Sequence, residues 1–223
     1  SDETFKVGAF GGQVANSNMD PITYKNLPEL EDAFGGGFAE FSGIQGVSLG
    51  AYGYQRLYDE PLLPGGKDWA QTAGAYIDIP GLTDWMTLYT EVDIQRRNQA
   101  DAFQNGVAAM VAGTLAMNAT SLLVEGVYLD DFKVDANFPS PLNRVPTLSR
   151  IRDEVVTMTD YHGVRARLEH SFKDLGLMVH GNARYRKNLP NTVSPVIEYH
   201  GFGGFEYSFD GGKSKLNLDG GYR

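Results

Sequence analysis

The sequence predicts an all-β fold, a single antiparallel meander of about eleven strands. Three observations carry this expectation. Apolar and polar residues alternate with period two through repeated segments of about 9–13 residues. The chain has 223 residues, 27 of them glycine, with no Gly-X-Y period. The connections between segments alternate between long and short, and an all-β chain of this length is commonly one domain.

Taken in order, strands are expected at 4–14, 33–42, 47–58 and 69–79, then at 85–95. In the last of these Leu88, Thr90, Val92 and Ile94 share one face and Thr87, Tyr89, Glu91 and Asp93 the other. The stretch from Ala102 to Val124 carries no charge, but its strongly apolar part is only Val107 to Met117. That is too short for a helical span, which needs ~20 residues. Local propensity fits a buried helix rich in Ala and Met. The surrounding pattern favours two strands, 105–117 and 121–132, with few inward polar groups, facing a plug, a partner or another part of the chain.

The second half alternates most clearly. At 161–172, Val164, Ala166 and Leu168 oppose Arg165, Arg167 and Glu169. At 177–187, Leu177, Val179, Gly181, Ala183 and Tyr185 oppose Met178, His180, Asn182, Arg184 and Arg186. At 196–209, Tyr199, Gly201, Gly203, Phe205 and Tyr207 oppose Glu198, His200, Glu206 and Ser208. A last strand is expected at 214–222.

The long connections are placed at 15–32, 59–68, 96–104, 133–160 and 188–195. The short ones are Gly43–Gly46, Pro80–Asp84, Asn118–Thr120, Lys173–Gly176 and Asp210–Lys213. In a meander, successive connections fall on opposite ends of the sheet. Strict alternation therefore puts tight turns at one end and long loops at the other, as in transmembrane barrels. Strands of this length, tilted by ~45°, fit the hydrocarbon thickness, whereas a soluble sandwich mixes its loop lengths. The fold class expected is an antiparallel up-and-down transmembrane β-barrel, one domain over 1–223 with a long external loop at 133–160.

Arg165, Arg167, Glu169, His180, Arg184, Arg186, Glu198, His200 and Glu206, with Glu91 and Asp93, are expected to line the lumen. Leu177, Val179, Val164, Leu168, Phe205 and Tyr207 are expected to face lipid. Pairing across 173–176 with an index sum near 349 sets Glu169 opposite His180 and Arg167 opposite Asn182. It also sets Arg165 opposite Arg184, for which Glu198 is the candidate counter-charge. A sum near 421 across 210–213 sets Glu206 opposite Lys215. Trp69, Trp85, Tyr58, Tyr128, Tyr161, Tyr185, Tyr207, Phe209 and Tyr222 cluster towards segment ends, where interfacial girdles sit.

Other chemistries are poorly supported. No cysteine is present, which excludes a disulfide scaffold, a Cys zinc site and a thiol nucleophile. A net charge of −9 argues against nucleic acid as partner. His180 and His200 with Glu169, Glu198 and Glu206 have the donors of a divalent-metal site, but a polar lumen explains them better. His162 and His170 fall on the outer face, one at each end of their strand. Asp130, Asp131 and Asp135 enter the longest loop without EF-hand spacing. Gly35–Gly37 and Gly203–Gly204 lack the context of a phosphate loop and read as bulges or close backbone approaches. Ser42, Ser48 and Ser121 have no His and Asp partner at a motif spacing. Catalytic residues, cofactors and bound metals are therefore all expected to be none.

On this pattern the chain resembles a Gram-negative outer-membrane β-barrel over about 4–222. A looser likeness is to large uncharacterised outer-membrane barrels of Bacteroidetes-like and deltaproteobacterial genomes. It rests on Arg144-Val145-Pro146-Thr147-Leu148 and on Tyr161-His162-Gly163-Val164-Arg165-Ala166-Arg167-Leu168. The resemblance implies a bacterial outer-membrane location and lipid as partner, with other envelope proteins reached through the long loops. It implies a pore for small solutes, or a scaffold docking through 133–160, and it carries no catalytic residue over. A soluble carbohydrate-binding or hydrolytic domain is the remaining alternative. Ser1-Asp2-Glu3 is no secretory signal, the final segment stops within its alternation, and bacterial barrels use even strand numbers. The chain is accordingly expected to be part of a larger barrel.

Overall fold

The computed structural model describes residues 4–15, 31–58, 68–133, 160–188, 197–209, 211 and 213–222. Eleven strands run through them. They are β1 (Phe5–Ala15), β2 (Glu31–Ile44), β3 (Val47–Leu57), β4 (Trp69–Thr83), β5 (Met86–Gln99), β6 (Ala102–Met117), β7 (Thr120–Asp130), β8 (Tyr161–Phe172), β9 (Leu177–Asn188), β10 (Ile197–Phe209) and β11 (Ser214–Tyr222). All belong to one sheet in the order β1 to β11, and each pairs antiparallel with the next. The all-β meander expected from the sequence is the fold observed. Among the described residues β1 pairs only with β2 and β11 only with β10, and there is one sheet rather than the two of a sandwich.

The uncharged stretch is a pair of strands, not a helix. β6 pairs along its length with β5 and nearly so with β7. Hydrogen bonding on both edges overrides the helix propensity of its alanines and methionines. Among the described residues no helix is long and apolar enough to cross a membrane.

The alternation of connection lengths fails at one place. The long connection expected at 96–104 is a two-residue turn. Gln99 pairs with Ala102, and Ala100 and Asp101 take φ of 51° and 59°, the left-handed pair of a type I′ hairpin. Arg96 to Gln99 had the polarity of a loop but continue β5. The turn expected at Pro80–Asp84 is also shorter, because β4 runs to Thr83 past an irregularity between Ile79 and Thr83. Lys173–Leu175 form one turn of 3-10 helix, closed by Gly176 at φ 63°. Most of the other long connections, including 134–159 with Asp135 and Arg144 to Leu148, lie outside the described residues.

The register between β8 and β9 is the one expected: Glu169 opposes His180, Arg167 opposes Asn182 and Arg165 opposes Arg184. Between β10 and β11 the register differs by two. Glu206 opposes Asn217 and Ser208 opposes Lys215. A shift of two keeps every side chain on its face, and the Lys215 Nζ still reaches Glu206 Oε1 diagonally at 2.7 Å.

Candidate functional site

The two faces of the sheet have opposite chemistry, in the reverse of the usual sense. On β5 Glu91 and Asp93 are each 1% exposed, while Val92 and Ile94 between and beyond them are 57% and 61% exposed. The face that carries Glu91 and Asp93 is called inner here, and the face that carries Val92 outer. Cross-strand pairing extends each across the sheet. Val107, Val111, Val124, Val164 and Leu168 are exposed on the outer face. Glu125, Asn182 and Arg184 are buried on the inner face. Leu177 and Val179 pair with Tyr207 and Phe205 on the outer face, so all six residues expected to face lipid lie there.

An acidic cluster occupies the inner face of β2 to β5. The Tyr52 hydroxyl lies 2.7 Å from Glu91 Oε1 and 2.6 Å from Asp93 Oδ1. Tyr89 donates to Glu91 Oε2 at 2.6 Å, and Tyr76 donates to Glu40 Oε2 at 2.7 Å. Gly74 stands opposite both Tyr52 and Asp93. A Cβ there would collide with the Asp93 carboxylate, so this glycine is what lets the carboxylate fold against the wall.

A basic cluster occupies the inner face of β8 to β10. Arg165 Nε donates to Asn182 Oδ1 at 2.6 Å. Glu198 accepts from Arg184, and from Arg186 at 2.7 Å. The counter-charge sought for the opposed Arg165 and Arg184 is thus Glu198 for Arg184, while the buried Glu125 faces Arg165 in register from β7. Arg167 pairs with Glu169 along its own strand. At the end of β3, Arg56 Nε donates to Asp32 Oδ2 at 2.9 Å.

Between the two clusters the inner face is mostly apolar, and part of the chain covers it. After β7 the backbone turns inward. Arg97 donates to the Asp131 carbonyl at 2.6 Å. Gln95 accepts from the Lys133 amide at 3.0 Å and donates to the Lys133 carbonyl at 3.2 Å. Phe132 is thereby buried with Tyr89, Ala108, Met110, Val127, Leu129 and Tyr161. Part of the poorly polar inner face of 105–117 and 121–132 is thus covered by Phe132, the last residue of the second segment itself, which leaves the strand after Asp130. That face is not wholly apolar, since it includes Glu125.

All the residues expected to line the lumen fall on the inner face, but not all come together. Glu91 and Asp93 stand apart from the basic group. His180 Nε2 lies 2.6 Å from Asp219 Oδ1, and His200 stands opposite Arg184. Glu169, Glu198 and Glu206 go to different cations, Glu169 to Arg167, Glu198 to Arg184 and Arg186, and Glu206 to Lys215. Among the described residues no three His, Cys, Asp or Glu groups gather as metal ligands. Asp131 is held by Arg97, and its amide donates to Asp160 Oδ1 at 2.6 Å. Gly36 and Gly204 lie in mid-strand, where a Cβ would strike the neighbouring backbone.

Sequence reasoning placed Tyr89 on the face of Glu91 and Asp93, but missed Glu125, Gln95, Arg97, Asp32 and Arg56, and the tyrosines Tyr52 and Tyr76. Arg97 is in phase with Glu91 and Asp93 but lies beyond the end expected for that strand at 95, whereas Gln95 stands at its last position.

Aromatic side chains band the outer face near both ends. Trp69 and Phe103 meet edge to face at 6.2 Å, and Arg96 lies over both rings at 6.0 and 5.1 Å. Tyr185 and Tyr199 continue the row at 5.3 Å. At the other end Tyr207 and Phe209 stack at 5.9 Å, and His170 meets Phe172 at 4.3 Å. Tyr161 does not belong to these bands. It pairs with Leu129 and is buried on the inner face.

No family model matches the sequence, and no curated protein matches it. Among solved structures the chain is similar to the crystal structure of Pseudomonas aeruginosa OpdQ, at 12% identity and a TM-score of 0.43, over 99% of this chain and 74% of that one. At that level the likeness carries no argument about function.

Proposed function

We propose that the chain forms the wall of a transmembrane β-barrel in a bacterial outer membrane and passes small hydrophilic solutes along its charged inner face. The observation that carries this reading is the inversion on β5, where buried carboxylates alternate with exposed aliphatic side chains. In water that pattern is unfavourable twice over. Exposed apolar surface forfeits about 25 cal/mol per Å², and buried carboxylates need compensation. In a bilayer the outer face meets hydrocarbon, and the inner face meets water and its own counter-charges. Antiparallel pairing satisfies the backbone of each interior strand, as a lipid environment requires.

The dimensions agree. Tyr199 and Phe209 mark the two bands on β10 and lie ten residues apart, which is ~33 Å along a strand. At a tilt of ~40° the height is ~25 Å, that of the apolar belt of such barrels. Passage along the face needs no reaction, so this reading assigns no catalytic residue and no cofactor. The separated acidic and basic clusters are the groups that would set ion preference.

Planar-bilayer conductance of the reconstituted chain is the test. Stepwise conductance is expected, with Arg167→Glu moving the permeability ratio towards cations. Chain that is inserted in the bilayer and passes no current would refute the pore.

A further inference from the structure

The inner face of β1 to β4 is densely lined by aromatic rings. Phe10, Phe34, Phe38, Tyr52, Tyr54 and Tyr76 share it with Lys6 and Glu40, as the register shows. Four of the rings lie over a glycine directly opposite: Phe38 over Gly8, Phe34 over Gly12, Tyr52 over Gly74 and Tyr76 over Gly50. At three of these, Gly8, Gly50 and Gly74, a Cβ would strike the ring itself. The missing Cβ lets the ring lie down along the wall instead of standing out from it. Phe10 completes the row, with its centroid 6.3 Å from Phe34 and 6.5 Å from Tyr54. Phe10 and Phe38 are 42% and 44% exposed, so ring surface stays open on this part of the inner face.

Charged pairs flank this surface at both ends. Lys6 Nζ lies 3.5 Å from Glu40 Oε1 on one side of Phe38, and Arg56 pairs with Asp32 beyond Phe34. Flat rings bordered by hydrogen-bonding ions match one solute shape: an apolar face of C–H groups with a rim of hydroxyls. An aliphatic solute would desolvate the flanking ions without replacing their hydrogen bonds. An anion would meet Glu40, Glu91 and Asp93.

We infer that the inner wall of β1 to β4 is a stacking surface for the pyranose rings of neutral saccharides. The inference rests on the pore reading, since it names the solute class of that inner face. Saturation-transfer NMR with cellotriose on the full chain in detergent micelles tests it. Transfer is expected at the axial C–H protons, falling by at least about three-fold in Phe10→Leu/Phe38→Leu, the scale of a lost ring contact. Phe38→Tyr, which keeps the ring, should retain it. Absence of transfer, or equal transfer in the leucine variant with an unchanged far-ultraviolet spectrum, would overturn the inference. Conductance of the same preparation separates the two claims. Current without saccharide contact leaves the pore and removes the stacking surface; saccharide contact without current does the reverse.

Discussion

Replacing Val92 with arginine puts a guanidinium in the middle of the outer face. Val92 stands between Ala75 on β4 and Ala109 on β6, so no carboxylate opposes it there. It lies four residues from Arg96, the cation that sits over the Trp69 and Phe103 rings. That separation is ~13 Å along the strand, or ~10 Å of depth at a tilt of ~40°, close to the midplane of a ~25 Å belt. An arginine at the midplane of a transmembrane barrel costs about 2–4 kcal/mol, against about 0–1 kcal/mol near the interface. Val92→Arg is therefore expected to destabilise by about 2–3 kcal/mol, and Ile94→Arg, two residues nearer the aromatic band, by less. The assay is urea unfolding of chain refolded into phosphatidylcholine vesicles, read by the fluorescence of Trp69 and Trp85. On a water-exposed face the same change would stay within about 0.5 kcal/mol. A shift that small for Val92→Arg would refute the reasoning.

Three further outcomes follow from the inner face. Glu125→Ala removes a buried carboxylate opposite Arg165 and is expected to lower stability by about 3 kcal/mol; an unchanged urea midpoint would contradict that role. Gly74→Ala must displace Asp93 or Tyr52 and should cost about 1–3 kcal/mol, whereas Gly181→Ala, with open space at its Cβ, should be near neutral in the same assay. Gln95→Ala removes both bonds to Lys133. It should speed amide hydrogen exchange at Lys133 by roughly five- to ten-fold, as expected for loss of about 1 kcal/mol; an unchanged rate would mean that Gln95 does not hold the inward turn.

Much of the sheet was legible because its two faces differ in chemistry. Wherever one side is apolar and the other charged, as along β8 to β10, period two fixes strand, face and even register. The sum that aligned Glu169 with His180 is the observed one. The signal fades where both faces are polar. Arg96 to Gln99 continue β5 at the level of the aromatic band, where alternation disappears, and so they read as a loop. It fades also where both faces are apolar, as in β6, whose inner side is covered by Phe132. The composition of the acidic cluster was visible, since Glu91 and Asp93 alternate openly. Its tyrosine donors were not, because Tyr52 and Tyr76 reach it only through pairing of strands far apart in sequence. The glycines had a use that composition alone does not reveal, that of making room for rings and carboxylates on the neighbouring strand.

The central claim is that the outer face meets lipid and the inner face meets water. The chain has no cysteine, so single cysteines carrying a nitroxide label report without background. Spin-label accessibility in vesicles, measured with oxygen and with a water-soluble nickel chelate, tests the claim most directly. Labels at Val92, Val164 and Leu168 should favour oxygen, and labels at Arg167, Glu206 and Lys215 should favour the chelate. Equal access of the chelate to both sets in membrane-bound chain would contradict the account.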